Sequence, residues 1–196
     1  MTKASIRSEM LSARDIMSPM TRELLSNTVI DNVLTSKEYI SAHVIFLYSS
    51  IRNEVDTIDL IEQSLKDGKK VALPVSYMSN GSPKMDFYYI KSRSDLVPGY
   101  MGILEPDRRK TSVVIANDMP DTIVVPGVAF DYSMNRIGYG AGFYDSYLFS
   151  HNYTTYSMKP YLMGICYDFQ MGYDITPEPN DIKMNLVVTE NGCFYG

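Results

Sequence analysis

The stretch His43–Pro74 reads HVIFLYSSIRNEVDTIDLIEQSLKDGKKVALP, and the order of its segments decides the fold. His43–Tyr48 is a short unbroken apolar run, read as a strand buried on both faces as in a parallel sheet. A polar loop, Ser49–Glu54, follows. Asp56 is placed to cap a helix with apolar positions Ile58, Leu60, Ile61 and Leu65, and Gly68 is placed to end it. Lys70–Pro74 is the next strand. Strand, helix and strand with short joins make a βαβ unit, whose crossover is right-handed.

Toward the N-terminus, Ile6, Met10, Leu11 and Met17 recur at helical spacing, predicting a helix over 2–17. Lys3, Arg7 and Arg14 share one face of it, read as a solvated face. Ser18-Pro19 is a helix-start signal, and Met20, Leu24, Leu25, Ile30, Val33 and Leu34 carry a second amphipathic helix to about Ser36.

Toward the C-terminus, Asn80–Pro83 reads as a turn, Met85–Ile90 as a strand and Leu96–Lys110 as an irregular, Gly- and Pro-containing loop. Thr122–Val125 is a further buried strand, 128–142 a loop, and Phe143 to about Phe149 a helix. Tyr161–Cys166 and Asn185–Thr189 are the last two principal strands, joined by the Pro-rich segment Thr176–Asp181. The alternation predicts an α/β fold: a three-layer α/β/α sandwich on a mostly parallel sheet, in a single domain over 1–196. Ligands of such sheets sit beyond the carboxyl ends of the strands, which points to the loops after Tyr48, Pro74 and Val125.

Composition bounds the function. The chain has 196 residues, 45% apolar and 21% charged, with a formal net charge of −5. This suits a globular domain with a full core and argues against a general nucleic-acid binder. Cys166 and Cys193 sit in apolar, strand-like contexts and read as two buried small side chains, neither a disulfide framework nor a zinc site. Apolar runs are too short for a membrane span and the first residues carry no apolar signal core, so the expected compartment is the cytoplasm.

The densest chemistry is Pro126-Gly-Val-Ala-Phe-Asp131 followed by Arg136-Ile-Gly-Tyr-Gly-Ala-Gly-Phe-Tyr-Asp145. A strand feeds a loop with glycines at 138, 140 and 142, and the loop opens a helix. Such a loop brings backbone N–H groups close to an anion, and Arg136 adds a fork that matches phosphate oxygens. Asp145 is a candidate magnesium ligand. The pattern is neither a P-loop nor the dinucleotide fingerprint. By themselves the glycines are equally compatible with a tight strand-to-helix crossover that serves packing.

These residues resemble the signature of the 5-formyltetrahydrofolate cyclo-ligases, also called methenyltetrahydrofolate synthetases. The resemblance extends along the chain through Lys3-x-x-x-Arg7, Asn53–Thr57, Leu73-Pro74, Met85-x-Phe87, Gly102–Pro106, and Asn180-Asp181 shortly before Val187–Glu190. It implies a Rossmann-like sheet of the kind shared with sugar-phosphate isomerases and CoA transferases. It also implies ATP- and magnesium-dependent closure of 5-formyltetrahydrofolate to 5,10-methenyltetrahydrofolate through a phosphorylated formyl oxygen. The substrate would be the folate, with or without a polyglutamate tail, and the enzyme a monomer. By the same resemblance, Lys3, Arg7, Arg136 and the loop Gly138, Tyr139, Gly140, Ala141, Gly142, Phe143 and Tyr144 would hold the nucleotide. Arg136 and Tyr144 would act on the transferred phosphate. Ser49, Glu54, Tyr139 and Tyr144 would bind folate, with Glu54 accepting from the pterin N–H groups, and Asp145 and Asp181 would place magnesium. Ala141 departs from the lysine or glycine of many relatives, which removes one charge from the loop. His43 and His151 read as structural. A different enzyme on this fold, a folate-buffering binder and a nucleotide-binding module remain the alternatives at this stage.

Overall fold

A computed structural model describes residues 1–115, 118–151, 153 and 160–196. Its elements are α1 (Lys3–Asp15), α2 (Pro19–Thr35), α3 (Lys37–Ile40), β1 (Val44–Phe46), α4 (Ile58–Lys66), β2 (Lys70–Ser79) and β3 (Ser82–Ile90). There follow β4 (Leu96–Pro98), β5 (Leu104–Pro106), β6 (Ser112–Val113), β7 (Thr122–Pro126), β8 (Ala129–Phe130), β9 (Arg136–Ile137), α5 (Phe143–Ser150), β10 (Tyr161–Ile165), β11 (Leu186–Thr189) and β12 (Gly192–Tyr195). Eight strands form one sheet in the order β12-β11-β10-β7-β1-β2-β3-β6. The central run from β11 to β2 is parallel, while β12, β3 and β6 are antiparallel edges.

Alternation along the central strands separates two cores. Ile45, Leu47, Val71, Leu73, Val124 and Met163 pack under α2 and α4. Their neighbours Phe46, Ala72, Ile123, Val125 and Leu162 pack on the other face with Tyr147 and Leu148 of α5. Helices on both faces make the expected three layers. A smaller cluster seats Ile6 and Met10 of α1 on Val128, Ala129 and Ile137 of the β8–β9 ribbon.

The expected caps recur with one change. Ser18 accepts from the Thr21 amide and starts α2. The Gly68 amide donates to the Leu65 carbonyl and the Lys69 amide to the Ser64 carbonyl, closing α4 in a Schellman motif. Thr57, not Asp56, occupies the cap position of α4. Its hydroxyl donates instead to the Tyr48 carbonyl at 2.6 Å and accepts from the Ser50 amide, while Asp56 still accepts from the Ile58 amide at 3.0 Å.

Other expectations change. β2 runs past Pro74 to Ser79, and the turn with β3 is only Asn80-Gly81. The loops expected over 96–110 and 128–142 contain the β4–β5 and β8–β9 ribbons. Asn191 and the residues beside it turn the chain into a further strand, β12. Met20 and Leu24 are exposed, and α2 buries Ser26, Val29, Ile30 and Val33 instead. Cys166 is buried but Cys193 is exposed on the edge strand. His43 is exposed just before β1, and His151 caps α5 with its ring against Tyr147. Among the described residues, no helix is long and apolar enough to cross a membrane.

Candidate active site

The site forms where β1 and β7 end and α1 crosses the β8–β9 ribbon. The ribbon is tied at its tip: the Asn135 amide and side-chain amide both donate to the Asp131 carboxylate at 2.8 Å. Phe130 anchors it to the sheet. Its ring lies where a Cβ on Gly127 or Gly164 would sit, only 2.3 and 2.5 Å from the nearest ring atom. Arg136 stands opposite Phe130 in the ribbon, so the core fixes the height of the arginine.

Arg136 is buried. It donates to the Pro126 carbonyl at 3.2 Å and to both oxygens of Asp145 at 2.7 and 2.8 Å. Its Nε has no partner among the described residues. Gly138 is needed for close approach, since a Cβ there would lie 2.8 Å from Arg136 Nη1. Gly140 and Gly142 hold φ of 100° and 73°, in the left-handed region that glycine adopts freely. Ala141 is exposed and has no positive φ, so its side chain does not strain the loop. Arg7 of α1 reaches across and donates through Nε to the Gly138 carbonyl at 2.7 Å.

Lys3 pairs with Asp181 and, at 3.1 Å, with Glu178. Burial pushes the Lys3 ammonium down, but these two carboxylates outweigh it and hold its pKa above the usual value. Burial likewise pushes Asp181 up, yet the Glu178 amide, Lys3 and nearby Arg136 hold it below the ordinary carboxylate range. Asp145 and Asp181 therefore both stand in one cationic neighbourhood. No group of three His, Cys, Asp or Glu side chains forms a ready metal cage among the described residues.

The folate candidates lie on the far side of Tyr139. Glu54 is buried; its Oε1 accepts from the Tyr139 hydroxyl at 2.9 Å and its Oε2 from the Ile51 amide at 2.9 Å. Burial raises its pKa, opposed by the Ile51 amide, Arg14, Tyr139 and Arg52. The loop bearing it is pinned by Thr57 and by Tyr167, whose hydroxyl donates to the Glu54 carbonyl at 2.9 Å. Tyr144 stands near both Glu54 and Arg136, and burial raises its pKa. The hydroxyls of Tyr144 and Ser49 are buried without partners among the described residues. Phe143 packs tilted against Tyr100 at 6.1 Å. Glu54, Tyr139 and Tyr144 thus converge, as do Lys3 with Asp181 and Arg7 with the glycine loop.

The sequence reading missed Arg14 as a site residue. It is 1% exposed rather than solvated, and its Nη2 donates to the Tyr139 hydroxyl at 2.5 Å. The available signal was its place on the face of Lys3 and Arg7.

A family profile described as the 5-formyltetrahydrofolate cyclo-ligase family matches residues 1–190. The chain belongs to that family of enzymes. Its 5-formyltetrahydrofolate cyclo-ligase relative in Escherichia coli K12 is 30% identical over 176 residues, covering 90% of this chain and 93% of that one. The Saccharomyces cerevisiae cyclo-ligase is 29% identical over 170 residues and covers 79% of each chain. The solved Aquifex aeolicus 5,10-methenyltetrahydrofolate synthetase matches with a TM-score of 0.82 and 31% identity, over 100% of this chain and 93% of its own. In this cyclo-ligase family member the glycine loop lies within the matched residues.

Proposed function

We propose that the protein converts 5-formyltetrahydrofolate to 5,10-methenyltetrahydrofolate, with ATP going to ADP and phosphate. The observation that carries this reading is the juxtaposition through a single residue. Tyr139 lies between Gly138 and Gly140 of the anion cradle, and its hydroxyl donates to the buried carboxylate of Glu54. A phosphate site and a carboxylate suited to the pterin N–H edge thereby meet.

In this reading the formyl oxygen takes the γ-phosphoryl group and ADP leaves. N10 then adds to the activated carbon and loses its proton, and phosphate departs with the C–O bond pair to leave the methenyl bridge. Lys3, Arg7 and Arg136 orient and neutralise the phosphates, so the protein contributes positioning and charge rather than a nucleophile. The hydroxyls of Tyr144 and Ser49, buried without partners among the described residues, supply hydrogen bonds on the folate side. Magnesium would neutralise further phosphate charge, held by Asp145 and Asp181. Two carboxylates without a protein cage suit an ion that keeps waters and phosphate oxygens as ligands. The enzyme would work as a cytoplasmic monomer.

The test mixes protein, 5-formyltetrahydrofolate and Mg·ATP and follows the near-ultraviolet absorbance of the methenyl product. ATP-dependent product that falls by about 10³-fold or more in Arg136→Ala is the expected result. Folate binding without product would favour a folate-buffering protein. Neither binding nor product would remove the reading.

A further inference from the structure

Arg14 is a fully buried cation without an ion-pair partner among the described residues. Its Nε and Nη1 also make no hydrogen bond there. A guanidinium out of water is costly unless a negative charge compensates it. Among the described residues its one side-chain hydrogen bond runs to the Tyr139 hydroxyl at 2.5 Å, with the guanidinium 5.7 Å from the centre of that ring, and the hydroxyl donates onward to Glu54 Oε1 at 2.9 Å. The Glu54 carboxylate thus stands one hydroxyl away, close enough for Arg14 to bear on it electrostatically.

We infer that Arg14 is a positioning residue that, through Tyr139, keeps Glu54 ionised and aimed at the folate; this rests on the reading of Glu54 as the pterin acceptor. Glu54 needs such help because it sits in a site that favours the neutral acid. The groups that bear on it are Arg14 from α1, Tyr139 from the glycine loop, Tyr48 at the end of β1, Tyr144 from α5, and Arg52 with the Ile51 amide from its own loop. Of these groups Arg14 and Arg52 are the cations; both guanidiniums lie near the Tyr139 ring, at 5.7 and 5.9 Å from its centre, but Arg52 is exposed, so water screens its charge, while Arg14 is buried. A neutral Glu54 would present an O–H where the pterin edge presents N–H donors.

Two measurements on the full-length protein test this. The first is the pH profile of kcat/KM for 5-formyltetrahydrofolate. Wild type loses activity as pH falls and Glu54 takes its proton. In Arg14→Met the proton is taken at higher pH, so the acid limb moves up by about one unit and the folate KM at neutral pH rises about tenfold. The ATP KM stays within about twofold. Arg14→Lys keeps the charge and returns the limb most of the way. A higher folate KM with an unmoved acid limb would overturn the proposal, because a purely structural arginine predicts that outcome.

The second measurement is a thermal-unfolding cycle that needs no folate. Arg14→Met leaves a buried carboxylate uncompensated, and Glu54→Gln leaves a buried guanidinium uncompensated. Each single change lowers Tm, and the double variant lowers it by clearly less than the sum. Folding of the double variant where Arg14→Met alone fails is the same result in stronger form. Additive losses, or a double variant that fails to fold, would overturn the pairing. A protein that showed the coupling yet turned over no folate would count against the proposed function and not against the pair.

Discussion

Position 141 isolates charge from conformation. Gly140 and Gly142 on either side take left-handed φ values, but Ala141 does not. The residue is exposed, and its loop neighbours Gly140 and Gly138 lie against Arg7 and Arg136. A lysine can therefore be introduced without backbone strain, and its only first-order effect is a cation beside the proposed phosphate site. Ala141→Lys is expected to lower the ATP KM about three- to fivefold, the worth of one partly solvated charge. The gain should shrink as salt is added. The folate KM should not change. An ATP KM that is unchanged or higher in low salt would mean the loop does not read charge at this position.

At the scale of elements, the ribbon β8–β9 transmits core packing to the site. Phe130 is fully buried against Gly127 and Gly164, and Arg136 is its partner across the ribbon. In Gly164→Ala the new methyl meets the ring at 2.5 Å, so Phe130 must shift. Such overpacking costs about 1–3 kcal/mol. The shift also displaces Arg136, so the ATP KM is expected to rise several-fold while the folate KM holds. A loss of Tm with both KM values unchanged would show that the ribbon does not carry the strain to Arg136. The ribbon also marks what a sequence hides. The parallel core was legible from His43–Pro74 because buried strands and a helix of regular period announce themselves over six to nine residues. Strands of two residues, such as Arg136-Ile137, carry no period and read as loop. The Gly-rich motif was legible, but the separate jobs of its glycines were not, because Gly138 answers to a side chain and Gly140 to its own backbone. Arg14 was missed for a related reason: pattern places a cation outside, and only the tertiary bond to Tyr139 draws it in. Met20 and Leu24 show the converse, apolar residues left outside because Ser26, hydrogen-bonded to the Tyr167 hydroxyl at 3.0 Å, takes the inner face of α2.

Over the whole molecule, charge and packing point the same way. Acidic residues outnumber basic ones by 23 to 18, and the cations near the glycine loop are set among carboxylates: Lys3 with Asp181 and Glu178, Arg136 with Asp145, and Arg14 one hydroxyl from Glu54. An incoming anion would compete with these carboxylates for the same cations. The two large cores are opposite faces of the same strands: Ile45 belongs to one and Phe46 to the other, as do Val124 and Ile123. Neither face can lose its packing and leave the other intact, since the shared strands would lose half their burial. α1 is held to this body by Ile6 and Met10 and by the polar bonds of Lys3, Arg7 and Arg14, so it is tied to the site from three directions. We therefore expect residues 1–196 to unfold as a single domain. Calorimetry should give one transition with equal calorimetric and van't Hoff enthalpies. Mg·ATP with folate should move that one transition upward without splitting it. A ligand-sensitive transition separated from a ligand-independent one would mean that α1 and the ribbon melt apart from the sheet, and that the site is built on a separate unit.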